Sequence, residues 1–218
     1  MFVHAHFQFP NKMISSPVYY LYRYTMPRPK SFDPDTVLAK AMGVFWEKGY
    51  DAASITDLTT AMGINRFSLY DTFGDKHQLY LKALDSYSKS FVEPMVEKIN
   101  AINSIDDLEA YFSMLLDCQS ACTPSPCCMM QRAAISMDEM DEETRSRVQC
   151  VRSRIHSAFH DALERTKRQG QLDPNLDIND AAWMIMIAKT GLTSFATAPL
   201  SPGQARTAIQ VLIDRFRA

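Results

Sequence analysis

Glycine is scarce in this chain, seven among 218 residues, which disfavours turn-rich all-β folds and glycine-lined nucleotide sites. No apolar run approaches the roughly 18 residues of a membrane-spanning helix. Excess charge of one sign is also missing. With 23 Lys and Arg against 25 Asp and Glu, the formal net charge is −2, so bulk charge does not draw the chain to nucleic acid or anionic lipid. Any nucleic-acid role must rest on local geometry. There is no CxxC pair, no glycine-rich phosphate loop, no paired metal ligands on a helix and no nucleophile motif. Cofactors are therefore not expected and catalysis is disfavoured. The enzyme alternative has only Cys128 with His156 or His160 as a thiol–base pair, whose proximity nothing in the sequence requires. With 46% hydrophobic and 22% charged residues, the chain has an ordinary globular composition, large enough for one or two domains.

Acidic residues are absent from 1–32, where Lys12, Arg23, Arg28 and Lys30 stand among aromatics such as Phe7, Tyr19 and Tyr22. Polar residues interrupt any secretory apolar core, and helical periodicity is lacking. Residues 1–25 are expected to be a disordered extension, with Met26 as the native start. The sharper alternative is a basic arm that reaches a DNA backbone.

Order is expected from Asp33-Pro34, an N-cap followed by Pro at the first helical position. Val37, Leu38, Ala41, Val44 and Phe45 then trace one apolar stripe, and Gly49 closes the helix. Ser54-Ile55-Thr56-Asp57 has the form of a capping box. The short helix behind it carries Ile55, Leu58 and Met62 inward and stops at Gly63. A third helix starts at Asn65 or Arg66, holds Phe67, Leu69 and Tyr70, and runs out at Phe73-Gly74. Asp75 caps a long amphipathic helix through Leu79, Ala83, Leu84, Tyr87 and Phe91. Two short helices joined by a glycine-containing turn are the helix-turn-helix arrangement, whose second helix is short enough to lie in a major groove.

The run GVFWEKGYDAASITDLTTAMGINRFSLYDTFGDKHQLYLKAL (43–84) closely resembles the N-terminal domain of TetR-family transcriptional regulators. The family pattern is filled by Phe45, Gly49, Tyr50, Ile55, Leu58, Ala61, Gly63, Leu69, Tyr70, Phe73, Lys76 and Leu79. The resemblance makes Asn65–Thr72 the recognition helix. It implies that Arg66 pairs with guanine O6/N7 or takes a phosphate. Asn65 caps the helix or reads adenine, and Ser68 is a hydroxyl for phosphate or base. Phe67 replaces a residue that is often small in the family, and either packs or touches a thymine methyl. Tyr70 matches the phosphate-contacting tyrosine, and Lys76 with its helix N-terminus forms an anion site. Thr56 is a backbone contact from the preceding helix. Asp71 stands where the family frequently has His, and either accepts from cytosine N4 or is simply solvated.

Residues 91–218 read as helical throughout. Ser104 opens a helix through Leu108, Tyr111 and Leu115, which Thr123–Pro126 breaks. Further helices are expected over Cys127–Ser136, from Glu142 to Gln169, from Asp180 to Ala198 behind an Asn179 cap, and from the Pro199–Pro202 turn to Arg217. The helix at 181–198 is apolar nearly all round, and packing against a second copy satisfies it. The expected architecture is thus all-α, with about nine helices. A disordered 1–25 precedes a helix-turn-helix domain over 26–75 and an effector-sensing and dimerisation domain over 76–218. The resemblance likewise implies a homodimer paired through its last two long helices, which places two reading helices one DNA turn apart on a pseudo-palindromic operator.

Five cysteines, Cys118, Cys122, Cys127, Cys128 and Cys150, are an odd number clustered in one region, as fits reduced thiols in a cytoplasmic protein. Cys127–Ile135 resembles a Gly-Cys-Leu-Leu-Val-type stretch of one TetR subset, with Cys128 on the cysteine and Cys127 on the glycine. Some relatives carrying it respond to electrophiles or oxidants. Three readings stay open: buried structural thiols, a redox or electrophile sensor centred on Cys128, and a soft-metal site of Cys118, Cys122 and Cys127 or Cys128 with Met129. Taken together, the residues point to a sequence-specific DNA-binding regulator, a repressor released by a small-molecule or thiol-reactive effector. A helical metal- or redox-sensing interaction protein without DNA binding is the alternative.

Overall fold

The computed structural model describes residues 32–121, 128–135, 141–194 and 201–218. The expectations for 1–25, the break at Thr123–Pro126, the segment before Glu142, the end of the 181–198 helix, the Pro199–Pro202 turn before Ser201, Cys122, Cys127 and the Cys118 side chain lie outside the described residues.

Pro34 opens helix α1, Pro34–Lys48, which buries Val37, Ala41, Met42 and Phe45. Helix α2, Ile55–Met62, begins at a complete capping box between Ser54 and Asp57. It ends at Gly63, whose φ of 71° is left-handed, a conformation that costs glycine little. Helix α3, Arg66–Phe73, follows after two residues and buries Leu69 and Phe73. Ile55, expected in the core, is only half-buried at the rim of the three-helix head.

Asp75 caps the long helix α4, its carboxylate accepting from the Gln78 amide at 2.8 Å. The helix runs as Lys76–Tyr87, passes through a π turn at Ser88–Val92 and continues as Glu93–Asn100. Pro94 explains the wide turn. It has no N–H to give the carbonyl one turn back, and its ring would press on that carbonyl, so the ladder switches to a Glu93-to-Ser88 bond that opens the coil. Phe91, expected on the inward face, is displaced by this turn to an exposed position, where its ring meets Trp46 and Tyr87 at 5.1 and 5.0 Å between centroids.

The remaining helices are α5, Ile105–Ala121; α6, Met129–Ile135; α7, Glu142–Arg168; α8, Ile178–Ser194; and α9, Pro202–Asp214. The boundaries of the last two helices differ from expectation. The cap of α8 is Asp177, which accepts from the Asp180 amide at 2.9 Å, and Asn179 already lies within the helix. Pro202 is the first residue of α9 behind a Ser201–Gln204 capping box. That helix stops at Asp214, because Phe216 turns into the core and Arg217 bridges to Leu172. No strand occurs among the described residues.

Helix α1 packs on α2 and α4, α7 on α8 and on the second half of α4, and α9 on α5. The head core is Phe45, Leu58, Met62, Leu69 and Leu79, and the body core centres on Phe112, Phe159 and Phe216. The head is thus mounted on α4, which is shared with the body.

Candidate nucleic-acid interface

Helix α3 has two faces because eight residues cannot bury both. At about 100° per residue, Leu69 and Phe73 point into the head. Phe67 and Asp71 lie on the opposite arc, Tyr70 flanks it, and Arg66 stands at the open N-terminal end of the helix above Leu69; all four are exposed. Phe67 is 79% exposed and Tyr70 43%. Arg66 is the sole cation of the helix. Asn65 is the N-cap, its Oδ1 accepting from the Ser68 amide at 2.8 Å, so the cap alternative holds for that oxygen and only its NH₂ group is left to meet a base. Ser68 is half-buried, and Thr56 is exposed in the first turn of α2. Asn65, Arg66, Phe67, Tyr70 and Thr56 are all on the head's surface.

Lys76 is placed differently from the free anion site foreseen. Its ammonium stands 4.6 Å over the Tyr50 ring and donates to the Asp51 carbonyl at 3.4 Å. The helix N-terminus beside it is already capped by Asp75. Beneath the turn, Asp57 accepts from Lys48 at 2.6 Å and from the Ser54 hydroxyl at 2.6 Å. These bonds, the Lys48 one first, hold its carboxyl well below the ordinary carboxylate range. A carboxylate favoured in the fold stabilises it above about pH 4, and the gain fades as pH falls toward the folded value. Asp57→Asn is therefore expected to reduce the drop in melting temperature between pH 7 and pH 3, measured by circular dichroism, relative to the unsubstituted protein.

Away from the head, Cys128 precedes α6, and its carbonyl accepts from the Arg132 amide at 2.9 Å. The helix expected from Cys127 thus starts at Met129, with Cys128 half-buried at its cap position. The Tyr87 hydroxyl donates to its sulfur at 3.4 Å. Lys189 of α8, 8% exposed, is within electrostatic reach of the same sulfur. Burial pushes the Lys189 ammonium below its ordinary range, and Cys128 opposes that shift. Sequence reasoning missed Tyr87 and Lys189, although a lone lysine inside an apolar helix was a visible signal. Among the described residues no cluster of three His, Cys, Asp or Glu can hold a metal ion. A cleft of about 300 Å³ between head and body, lined by Tyr50, His77, Tyr80, Arg132 and Asp141, was also not foreseen.

A three-helix head presenting a short, capped helix with one polar arc defines a helix-turn-helix DNA-binding protein. Comparison with known proteins gives the family. Residues 37–83 match the bacterial regulatory proteins of the tetR family, and residues 104–212 match the tetracyclin repressor-like C-terminal domain. The chain is 32% identical over 177 residues to the uncharacterized HTH-type transcriptional regulator YezE of Bacillus subtilis, covering 78% of this chain and 89% of that one. It is 31% identical to the HTH-type transcriptional repressor ComR of Escherichia coli, covering 71% and 75%. A cysteine mutant of the TetR family regulator CifR, complexed with 26-bp double-strand operator DNA, superposes with a TM-score of 0.72 at 25% identity, covering 87% of this chain and 100% of that one. This chain belongs to the TetR family of transcriptional regulators, whose members are not enzymes. No helix among the described residues is long and apolar enough to cross a membrane.

Proposed function

We propose that the chain is a cytoplasmic homodimeric repressor that reads a pseudo-palindromic operator with α3 and is released when a thiol-reactive compound modifies Cys128. The head, 26–75, binds DNA; the body, 76–218, senses and pairs. The single observation that carries the DNA reading is the split of α3 into a buried edge, Leu69 and Phe73, and an exposed set, Arg66, Phe67, Tyr70 and Asp71. ComR is a repressor, which favours repression here, and the CifR complex supports an operator duplex as the partner.

Two features support the thiol. The Cys128 sulfur is half-buried at the start of α6, where an electrophile can modify it, and the Tyr87 hydroxyl stands 3.4 Å from it. Tyr87 also connects the sulfur to the head, because its ring packs edge-on against Trp46 of α1 at 5.2 Å. An adduct that displaces Tyr87 changes how α1 sits on α4, which biases one spacing of the two heads over the other. Such coupling is typically worth about 5–150-fold.

Operator binding followed by fluorescence anisotropy tests this. Treatment with N-ethylmaleimide is expected to weaken the unsubstituted protein about tenfold or more, while Cys128→Ser binds tightly before and after. Equal release of both proteins removes Cys128 as the sensor. Absence of salt-sensitive, sequence-specific binding removes the regulator reading itself.

A further inference from the structure

Phe67 is the least expected residue on the reading arc. It stands 79% exposed at the second position of α3, outside the buried edge formed by Leu69 and Phe73. The Asn65 cap fixes the backbone of the first turn that carries it, so the residue's Cα–Cβ direction is set by the helix. Arg66 precedes it, and Tyr70 lies one turn on. In a helix-turn-helix protein the first residues of the second helix meet base edges in the major groove. The bulky apolar group that standard base pairs offer there is the C5-methyl of thymine; the other edge features are hydrogen-bond donors and acceptors and the small C5–H of cytosine. An exposed aromatic ring at that place finds its largest apolar match where such a methyl stands.

We propose that Phe67 is a specificity-determining residue that reads one pyrimidine C5-methyl in each operator half-site. The proposal rests on the DNA-binding reading above and sharpens it. Arg66 and Phe67 are then a divided pair, the guanidinium recognising guanine hydrogen-bond acceptors and the ring recognising a neighbouring methyl. The same group is carried by thymine and by 5-methylcytosine, and the experiment separates the two sources.

An operator selected from random duplexes by the unsubstituted dimer is resynthesised with 2′-deoxyuridine replacing each thymine in turn. This keeps base pairing and removes only the methyl. One position per half-site is expected to lose about fourfold in affinity, and replacement in both half-sites about fifteenfold, as follows from roughly 0.8 kcal/mol for each buried methyl-sized group. Phe67→Ala, whose ring touches no core, is expected to stay folded and dimeric and to bind thymine and deoxyuridine duplexes alike. In a further arm, cytosine and 5-methylcytosine are compared at the sensitive position. A preference of the unsubstituted protein for the methylated base, lost in Phe67→Ala, shows that the methyl itself is read; a penalty for both cytosines limits the site to thymine. Indifference of the unsubstituted protein to deoxyuridine at every position overturns the proposal, and so does discrimination that survives in Phe67→Ala. If the selection yields no sequence-specific operator, the regulator reading fails and this proposal falls with it; that outcome is visible before any modified base is introduced.

Discussion

Introducing carboxylates on α8 and α9 through Ile187→Asp with Val211→Asp is expected to leave a folded monomer that has lost at least about 100-fold in operator affinity. Ile187 is 70% exposed and Val211 59%. Ile187 lines an apolar groove with Met184, Ile209 and Leu212 along these two helices, and Val211 adds exposed apolar surface on α9, a surface that a protomer keeps in water only at a cost. In the protomer the new carboxylates remain solvated, so helical content should hardly change, while the melting temperature falls only by what pairing contributed. In a dimer they are desolvated against apolar side chains, which costs far more than the contacts they replace. The loss of DNA affinity follows from geometry. One head reads only half of the operator, and the second half-site is gained only while the heads are linked. Sedimentation velocity gives the association state, and fluorescence anisotropy gives the affinity. A double variant that stays dimeric with its affinity intact would show that the subunits pair elsewhere.

The second large effect falls on the reading helix. Leu69→Ala is expected to destabilise the head by about 2–5 kcal/mol and to abolish operator binding while the body remains a dimer. Leu69 is fully buried, and α3 has only eight residues, too few for an isolated helix to persist in water. Its two buried side chains and the Asn65 cap hold it in place, so removing one of the two releases the whole reading surface. Hydrogen exchange is the measurement. Amides of α3 should lose protection in Leu69→Ala, while those of α7, buried through Phe159 and Ala162, should keep it. Uniform loss across both helices would mean that head and body unfold as one unit.

The head was legible because its signals are local and physically independent. Asp33-Pro34, Ser54 with Asp57, Gly63, Asn65 and Asp75 each mark a helix end by side-chain chemistry. The apolar spacing between them gives the buried faces. Asn179 misled because Asp177, two residues earlier, is an equally good cap and won the place. The π turn was hidden: Pro94 announces a disturbance but not whether the helix breaks or widens. The anion-site role of Lys76 rests on the family resemblance and its helix N-terminus, whereas its place over Tyr50 depends on how the loop after α1 folds back. The sulfur's neighbours, Tyr87 and Lys189, come from helices far apart in sequence, and only the tertiary fold brings them to Cys128. The exposed side of α3 needed no such information, since the helical rotation separates Phe67 and Asp71 from Leu69 and Phe73, and Arg66 is the first residue of the helix.

Hydroxyl-radical footprinting of the unsubstituted dimer on its selected operator tests most directly whether α3 reads DNA as one of a pair. The account predicts two protected half-sites on one face of the duplex, about 34–36 Å apart, with protection that weakens steeply as salt rises. A single protected patch, or protection spread evenly without regard to sequence, would contradict it.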